Sequence, residues 1–223
     1  MGDVIGNILP LALGVAISPI PIIAIILMLF SKKAKGNSMA FLVGWIAGLS
    51  IAFWIVYAIA NLADVSTSSG PSKASAVIKL LFGILFLFMA FKQWRKRPKP
   101  GEEASMPKLL SAIDDFSAGK SFGLAVLLSA VNPKNLGLTL AASLAIAQGG
   151  LAAWETIVIF FIFLVIAIST VAAPVIINLI MGEKATEMLN SWKAWLAANN
   201  AMVMFILLLI FGTVLVGKGI AGL

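Results

Sequence analysis

Six long apolar stretches alternate with short polar segments along this chain of 223 residues. A stretch of about 20 apolar residues is long enough for a helix to cross a lipid bilayer. The pattern therefore predicts an all-α integral membrane protein with six transmembrane helices. The predicted spans are 5–30, 39–62, 74–94, 122–147, 153–181 and 199–220.

Basic residues are concentrated in alternate connecting segments. Twelve of the sixteen lysines and arginines lie in or beside segments 31–38, 95–121 and 182–198. Because basic loops stay on the cytoplasmic side of a membrane, we expect a multi-pass protein of the plasma (inner) membrane with both termini outside. These loops also explain the net charge of +7, so no nucleic-acid partner is expected.

The longest basic segment separates two halves with three spans each. Residues 1–94 form the first predicted three-helix repeat and 122–223 the second. Between them, 95–121 is a basic cytoplasmic linker in which 107–118 is expected to form an interfacial helix. An odd number of spans per half makes the second half enter the membrane in the opposite direction, which predicts a 3+3 inverted repeat.

Both halves contain a proline break near the middle of their first span. Pro19 and Pro133 lie 114 residues apart, and Ser18 and Asn132 precede them. Serine and asparagine are favoured N-caps, and proline is favoured at the first helical position. Each first span is therefore predicted to be two half-helices, with Ser18 and Asn132 capping the second and Pro21 helping to hold the first break open.

Lys134 follows the second break inside the apolar stretch 122–147. A charge at that depth marks a functional site by default, and restarted helices direct positive dipole ends and unpaired N–H groups at a ligand. All nine acidic residues fall in loops or at span ends, so this chemistry favours an anionic head group near the midplane. The predicted substrate-binding residues are Ser18, Pro19, Pro21, Asn132, Pro133, Lys134 and Asn135.

The spans lack the residue types that most enzymes and metal sites need. The chain has no histidine and no cysteine, and no carboxylate pair falls within a span. We therefore expect no catalytic residues, no metal site and no cofactor.

Other polar and small residues within the spans allow two interpretations. The polar residues either line a path through the protein or join neighbouring helices. The segment Gly44–Gly48 permits close helix approach, either within the protomer or in a homodimer. After the fifth span, tryptophans and apolar residues predict a second interfacial helix. The path or joining residues are Asn135, Thr139, Ser143, Ser169, Thr170 and Asn178, and the interfacial ones are Met188, Leu189, Trp192, Trp195 and Leu196.

Three motifs together resemble one family of membrane proteins. The segments Ala16–Ala24 with its SPIP sequence, Phe41–Trp45, and Val131–Leu136 with its NPKN sequence are similar to those of the GAP family, the peptidoglycolipid-addressing branch of the LysE transporter superfamily. The resemblance covers essentially the whole chain. It implies a 3+3 inverted-repeat transporter that exports or addresses cell-envelope glycolipids.

These observations lead to one main hypothesis and two alternatives. The main hypothesis is a transporter that exports or flips an anionic amphiphile, either a glycolipid or a lipid-linked envelope precursor. One alternative is an exporter of a small, amino-acid-type solute, as in other branches of the superfamily. The other is a non-transporting membrane scaffold that binds envelope biosynthesis enzymes.

Overall fold

The computed structural model describes residues 1–62, 73–98 and 110–223, and these ranges are almost entirely helical. Two short 3₁₀ segments cover Leu110–Asp115 and Gly182–Ala185, and a π-helical turn covers Leu127–Val131. The α-helices in the described ranges are α1 Gly2–Ala16, α2 Pro19–Leu29, α3 Ala34–Leu62, α4 Lys73–Arg95, α5 Ala118–Val126, α6 Pro133–Ala147, α7 Ala153–Met181 and α8 Thr186–Ile220.

Several helices are long and apolar enough to cross a membrane. Within the described residues, α3, α4 and the helical run Ala153–Ile220 meet this criterion by length and composition. The bent pairs α1–α2 and α5–α6 raise the number to five if each pair is one span. The prediction of a helical membrane protein is confirmed at this level, while the count of six spans and the 3+3 repeat stay predictions.

Both predicted breaks are present at the expected residues. The axes of α1 and α2 differ by 50° across Ile17 and Ser18, and those of α5 and α6 differ by 60° across Asn132. Pro19 and Pro133 begin the second helix of each pair. Each proline ends the preceding helix because it has no N–H to donate and its ring clashes with the preceding turn.

Helices from the two halves pack mainly against each other. Helix α4 lies along α8, α3 lies along α5, and α1 packs against both α6 and α7. Buried aromatic side chains such as Phe41, Trp45, Phe53 and Phe163 belong to one continuous core built from both halves. The predicted halves 1–94 and 122–223 therefore interlock.

Gly44 and Gly48 lie at a close helix contact within the protomer. A Cβ on Gly44 would lie 2.6 Å from the carbonyl oxygen of Phe122, and one on Gly48 would overlap the hydroxyl of Ser129. Both positions thus allow α3 to approach α5 and the π-helical turn closely. This answers the question that the sequence left open for this pair of glycines.

The interfacial helix predicted at 107–118 stays a prediction, and the part of it that the structure describes is not an α-helix. Residues Leu110–Asp115 form a 3₁₀ segment in contact with α2. Ile113 is buried in the protein core, so the side chain of this residue packs on protein. Residues 99–109, which include the rest of the predicted linker, lie outside the described ranges.

The second predicted interfacial helix is part of a longer one. Leu189, Trp192 and Trp195 lie in the first half of α8, which continues without a break into the predicted sixth span. Leu189 is buried, whereas both tryptophans are exposed. No proline or glycine interrupts the sequence between residues 186 and 211, so nothing ends the helix there.

Candidate functional site

Lys134 connects the two helix breaks. Its side chain is only 2% exposed, and it extends from the first turn of α6 to the C-terminal end of α1. The Nζ atom donates hydrogen bonds to the carbonyls of Gly14 at 2.7 Å and Ile17 at 2.9 Å, and to the Ser18 hydroxyl at 2.7 Å. We call Gly14, Ile17, Ser18, Lys134 and Asn135 the break junction.

The position of the ammonium group follows from helix electrostatics. At the N-terminus of α6 its charge would oppose the positive end of that helix dipole. The structure instead places it against the last carbonyls of α1, which form the negative end of a dipole and need hydrogen-bond donors. An ammonium has three N–H groups, and its three partners account for them.

Ser18 occupies the N-cap position of α2, but its side chain does not cap that helix. The prediction of a capping hydroxyl is therefore wrong. The Ser18 hydroxyl accepts from Lys134 and lies 2.7 Å from the Val15 carbonyl and 3.2 Å from the Asn135 amide oxygen. Because a hydroxyl has one proton to donate, it accepts from the buried ammonium and donates to the nearer of these two oxygens, the Val15 carbonyl.

Asn132 caps α6 as the sequence predicts. Its side-chain oxygen accepts from the N–H of Lys134 at 3.0 Å. The preceding π-helical turn closes with the N–H of Asn132 donating to the Leu127 carbonyl at 3.1 Å. Asn135 then donates its amide to the Leu128 carbonyl at 2.9 Å, so one residue contacts both breaks.

The carbonyls at the end of α1 all have donors. Leu13 accepts from the N–H of Ile17, and Ala16 accepts from the N–H of Ser18. The Thr170 hydroxyl of α7 also donates to Ala16 at 2.5 Å. With Lys134 and Ser18 bound to the other three carbonyls, the break satisfies its buried polar groups, as apolar surroundings require.

The first turns of α2 and α6 offer few free backbone donors. Pro19, Pro21 and Pro133 have no N–H group, and the N–H groups of Ile22 and Leu136 donate to the main-chain carbonyls of the two N-cap residues. Since Asn132 caps Lys134, at most the N–H groups of residues 20 and 135 are left there for a ligand. A ligand anion at these ends would therefore need side-chain donors.

The structure brings the predicted residues to one place with different roles. Ser18, Lys134 and Asn135 are in direct contact, whereas Pro19, Pro21 and Pro133 shape the helix starts. Sequence reasoning missed Gly14 and Ile17. Backbone carbonyl acceptors carry no side-chain signal, whereas Thr170 is one of the polar residues for which the sequence allows two interpretations.

An apolar cleft opens beside the first break. Its volume is about 660 Å³, and it lies between α2, α7 and the first half of α8. Thr170 both lines this cleft and bonds the Ala16 carbonyl, so the cleft wall continues into the break. The lining residues are Ile22, Ser169, Thr170, Ala173, Trp192, Trp195 and Leu196.

Among the other polar residues of the spans, Ser143 joins two helices. Its hydroxyl donates to the Phe53 carbonyl at 2.9 Å and so connects α6 to α3. Ser169 bonds the Ile166 carbonyl of its own helix. These contacts favour the joining interpretation for Ser143, while Ser169 faces the apolar cleft.

Comparison with known proteins identifies the family. The family model of the sulfolipid-1-addressing protein (Sap, SfLAP) matches residues 8–221, which include both breaks and the apolar cleft. No curated protein and no solved structure matches the chain. Membership in the wider LysE superfamily stays a prediction from the motifs. The chain belongs to the sulfolipid-1-addressing protein family, which implies a role in sulfolipid addressing and fits a membrane protein that acts on glycolipids.

Proposed function

We propose that the protein is a plasma-membrane transporter that exports or flips an anionic glycolipid or a lipid-linked envelope precursor. Family membership supports the lipid class. The break junction supports an anionic head group, because its one formal charge is positive and buried. The substrate-binding residues of this proposal are the predicted set, with the three prolines holding the geometry of the two helix starts.

The observation that carries the proposal is the environment of the Lys134 ammonium. Its three partners are two backbone carbonyls and a hydroxyl, and none of these has a formal charge. Burying a charge without an opposite charge is costly, and such residues in membrane proteins mark substrate or ion pathways. A sulfate, phosphate or carboxylate on the substrate would supply the missing negative charge.

The mechanism we propose is an exchange of partners. The anionic head would displace one or both α1 carbonyls from Lys134 and would receive further hydrogen bonds from Ser18 and Asn135. Because the lysine belongs to the second half and its carbonyl partners to the first, this exchange would release one break from the other. The two halves would then move relative to each other, as in rocking transport by repeats.

The apolar cleft is the proposed place for an acyl chain of the same substrate. Its walls are mainly aliphatic and aromatic, and it reaches the first break through Thr170. Tryptophans suit the boundary between lipid tails and head groups. An amphiphile with its tail in the cleft would therefore present its head toward the break junction.

We also propose six spans in a 3+3 inverted repeat. The packing supports this arrangement, because α3 lies against α5 and α6 in the same way as α7 lies against α1 and α2. If α5–α8 repeat α1–α4, each contact of α3 with α5 or α6 has an equivalent contact of α7 with α1 or α2. With the basic segments on the cytoplasmic side, both termini would lie outside, and a homodimer stays part of the proposal.

Vesicles that contain the purified protein test the proposal. We expect fluorescent phosphatidylglycerol to cross the bilayer faster than fluorescent phosphatidylcholine, measured as loss of protected fluorescence on dithionite addition. Lys134→Gln should abolish this difference because the head group loses its countercharge. Lys120→Gln is the matched control, since that lysine is exposed at the start of α5 and should leave the rates unchanged.

Native mass spectrometry of the same variants adds an independent readout. Wild-type protein should retain an anionic lipid that Lys134→Gln loses. Equal retention and equal crossing rates in both would contradict the anion site. Uptake of radiolabelled amino acids by the vesicles would then favour a small-solute exporter, and recovery of a synthase in pull-downs would favour a scaffold.

A further inference from the structure

A second cleft lies at the end of the bundle where α1 begins and α8 ends. Its volume is about 530 Å³, and its walls come from α1, α4, α6 and α8. It shares no lining residue with the apolar cleft or the break junction. Two lysines from different halves, Lys79 of α4 and Lys218 of α8, line it together, and we call it the lysine cleft.

Each lysine in this cleft is held by a neutral amide. Nζ of Lys79 donates to the side-chain oxygen of Gln148 at 3.3 Å, and Nζ of Lys218 donates to that of Asn7 at 2.9 Å. Neither contact neutralises the positive charge. Two like charges facing one concave space repel each other, and a bound anion relieves that repulsion.

The rest of the lining also favours an anion. The side-chain nitrogen of Gln148 is buried and has no hydrogen-bond partner among the described residues, so it can donate to a ligand. Asp3 is the acidic residue of the lining, and its main-chain carbonyl accepts from Asn7. The positive side chains therefore outnumber the negative one in the same cleft.

We propose that Lys79 and Lys218 form a binding site for a sulfate- or phosphate-type oxyanion in the lysine cleft. Two ammonium groups and an amide nitrogen that line the cleft would donate to such a group, and lysine suits it as a point charge. The oxyanion belongs either to a lipid head group or to a free ion. This site does not depend on the proposed transport function or on Lys134.

The absence of cysteine from the chain allows a direct test. Ala145→Cys places one thiol in the lining of the lysine cleft. We expect an anionic methanethiosulfonate reagent to modify it faster than a cationic one. The ratio of the two rates should fall by about tenfold when Lys79→Gln and Lys218→Gln are added, because the local field that attracts the anion is lost.

Binding itself is measured by protection of that thiol. In nanodiscs of phosphatidylcholine, sodium sulfate should slow modification about twofold at half occupancy, relative to sodium chloride at equal ionic strength. In nanodiscs that also contain phosphatidylglycerol, slowing without sulfate would show that the site takes a lipid head group. Protection by sulfate would show that it admits the free ion.

Two controls separate a local site from a general effect. Ala198→Cys lies on the exposed surface of α8, about 24 Å along the helix from residue 214 of the cleft, and its rates should not change with either lysine substitution. Lys79→Arg with Lys218→Arg should restore the rate ratio if charge is what matters. No difference between lysine and glutamine at these positions, or no protection by either sulfate or lipid, would overturn the proposal.

Discussion

The Nζ atom of Lys134 lies 2.7 Å from the carbonyl oxygen of Gly14, although 120 residues separate the two in the chain. Through this contact, a side chain in the first turn of α6 donates a hydrogen bond to a carbonyl near the end of α1. The contact also places a positive charge at the negative end of the α1 dipole. The two breaks therefore form one structural unit, and we expect a substitution at either break to change the hydrogen bonds at the other.

Ser18→Ala should destabilise the protein by about 1.5–3 kcal/mol, the range for a hydrogen bond to a charged group. The substitution removes the hydroxyl that accepts from Lys134 and leaves one buried ammonium N–H without its partner. Unfolding in mixed detergent micelles measures the change. Ser169→Ala is the control, because that hydroxyl bonds only its own helix and a change below about 0.5 kcal/mol is expected. Equal effects of the two substitutions would show that Ser18 does not support the ammonium.

Asn132→Ala should cost about 1 kcal/mol, since it removes the side-chain cap on the N–H of Lys134. Asn132→Ser should recover most of this loss because serine caps equally well at that position. The same unfolding measurement on the two variants checks the prediction. If serine proves as costly as alanine, the cap contributes little and the asparagine has another role.

Gly44→Ala should destabilise the protein by about 1–3 kcal/mol, the usual cost of overpacking. The new methyl group would meet the backbone oxygen of Phe122, which cannot rotate away. Gly36→Ala is the matched control in the same helix, because no atom lies within 4 Å of its added Cβ. That variant should be neutral or gain up to about 1 kcal/mol from helix propensity. A loss of dimer without a loss of stability in Gly44→Ala would instead place this face between protomers.

Ala173→Trp should reduce both retained lipid and the rate of lipid crossing, because the larger side chain fills the apolar cleft next to Thr170. The contacts of Lys134 are made elsewhere and should persist, so stability should change little. Native mass spectrometry and the vesicle assay measure the two effects. Ile180→Trp on the most exposed face of α7 is the control and should behave like wild type. Unchanged crossing in Ala173→Trp would remove the cleft from the transport path.

Local rules of backbone chemistry made the breaks predictable. A proline that follows a good capping residue favours the end of one helix and the start of another, and both bends occur where Pro19 and Pro133 stand. Pro10 and Pro174, which follow no capping residue, lie inside helices. Lys134 was identifiable because a charge inside a long apolar stretch is rare. The cap from Asn132 follows from the same local chemistry.

The partners of these residues were not predictable in the same way. Ser18 and Asn132 both precede a proline, yet only Asn132 caps its helix. Pro21 has no N–H for Ser18 to accept from, and the Ser18 hydroxyl is in contact with Lys134 and Asn135 instead. The apolar spacing around Ile113 did not show that this residue would be buried in a 3₁₀ segment that contacts α2. Glycine spacing at residues 44 and 48 was equally compatible with a dimer.

The sequence by itself determined the helical membrane character, the two half-helix breaks and the one deeply buried charge, because each depends on composition or on neighbouring residues. Only the tertiary structure decided that Lys134 binds the end of α1, that Thr170 joins the apolar cleft to the first break, and that Lys79 and Lys218 face one cleft. Backbone carbonyls are identical at every residue, so a sequence cannot show which of them a distant side chain will reach. That choice depends on how the interlocked halves pack, which is a property of the folded chain.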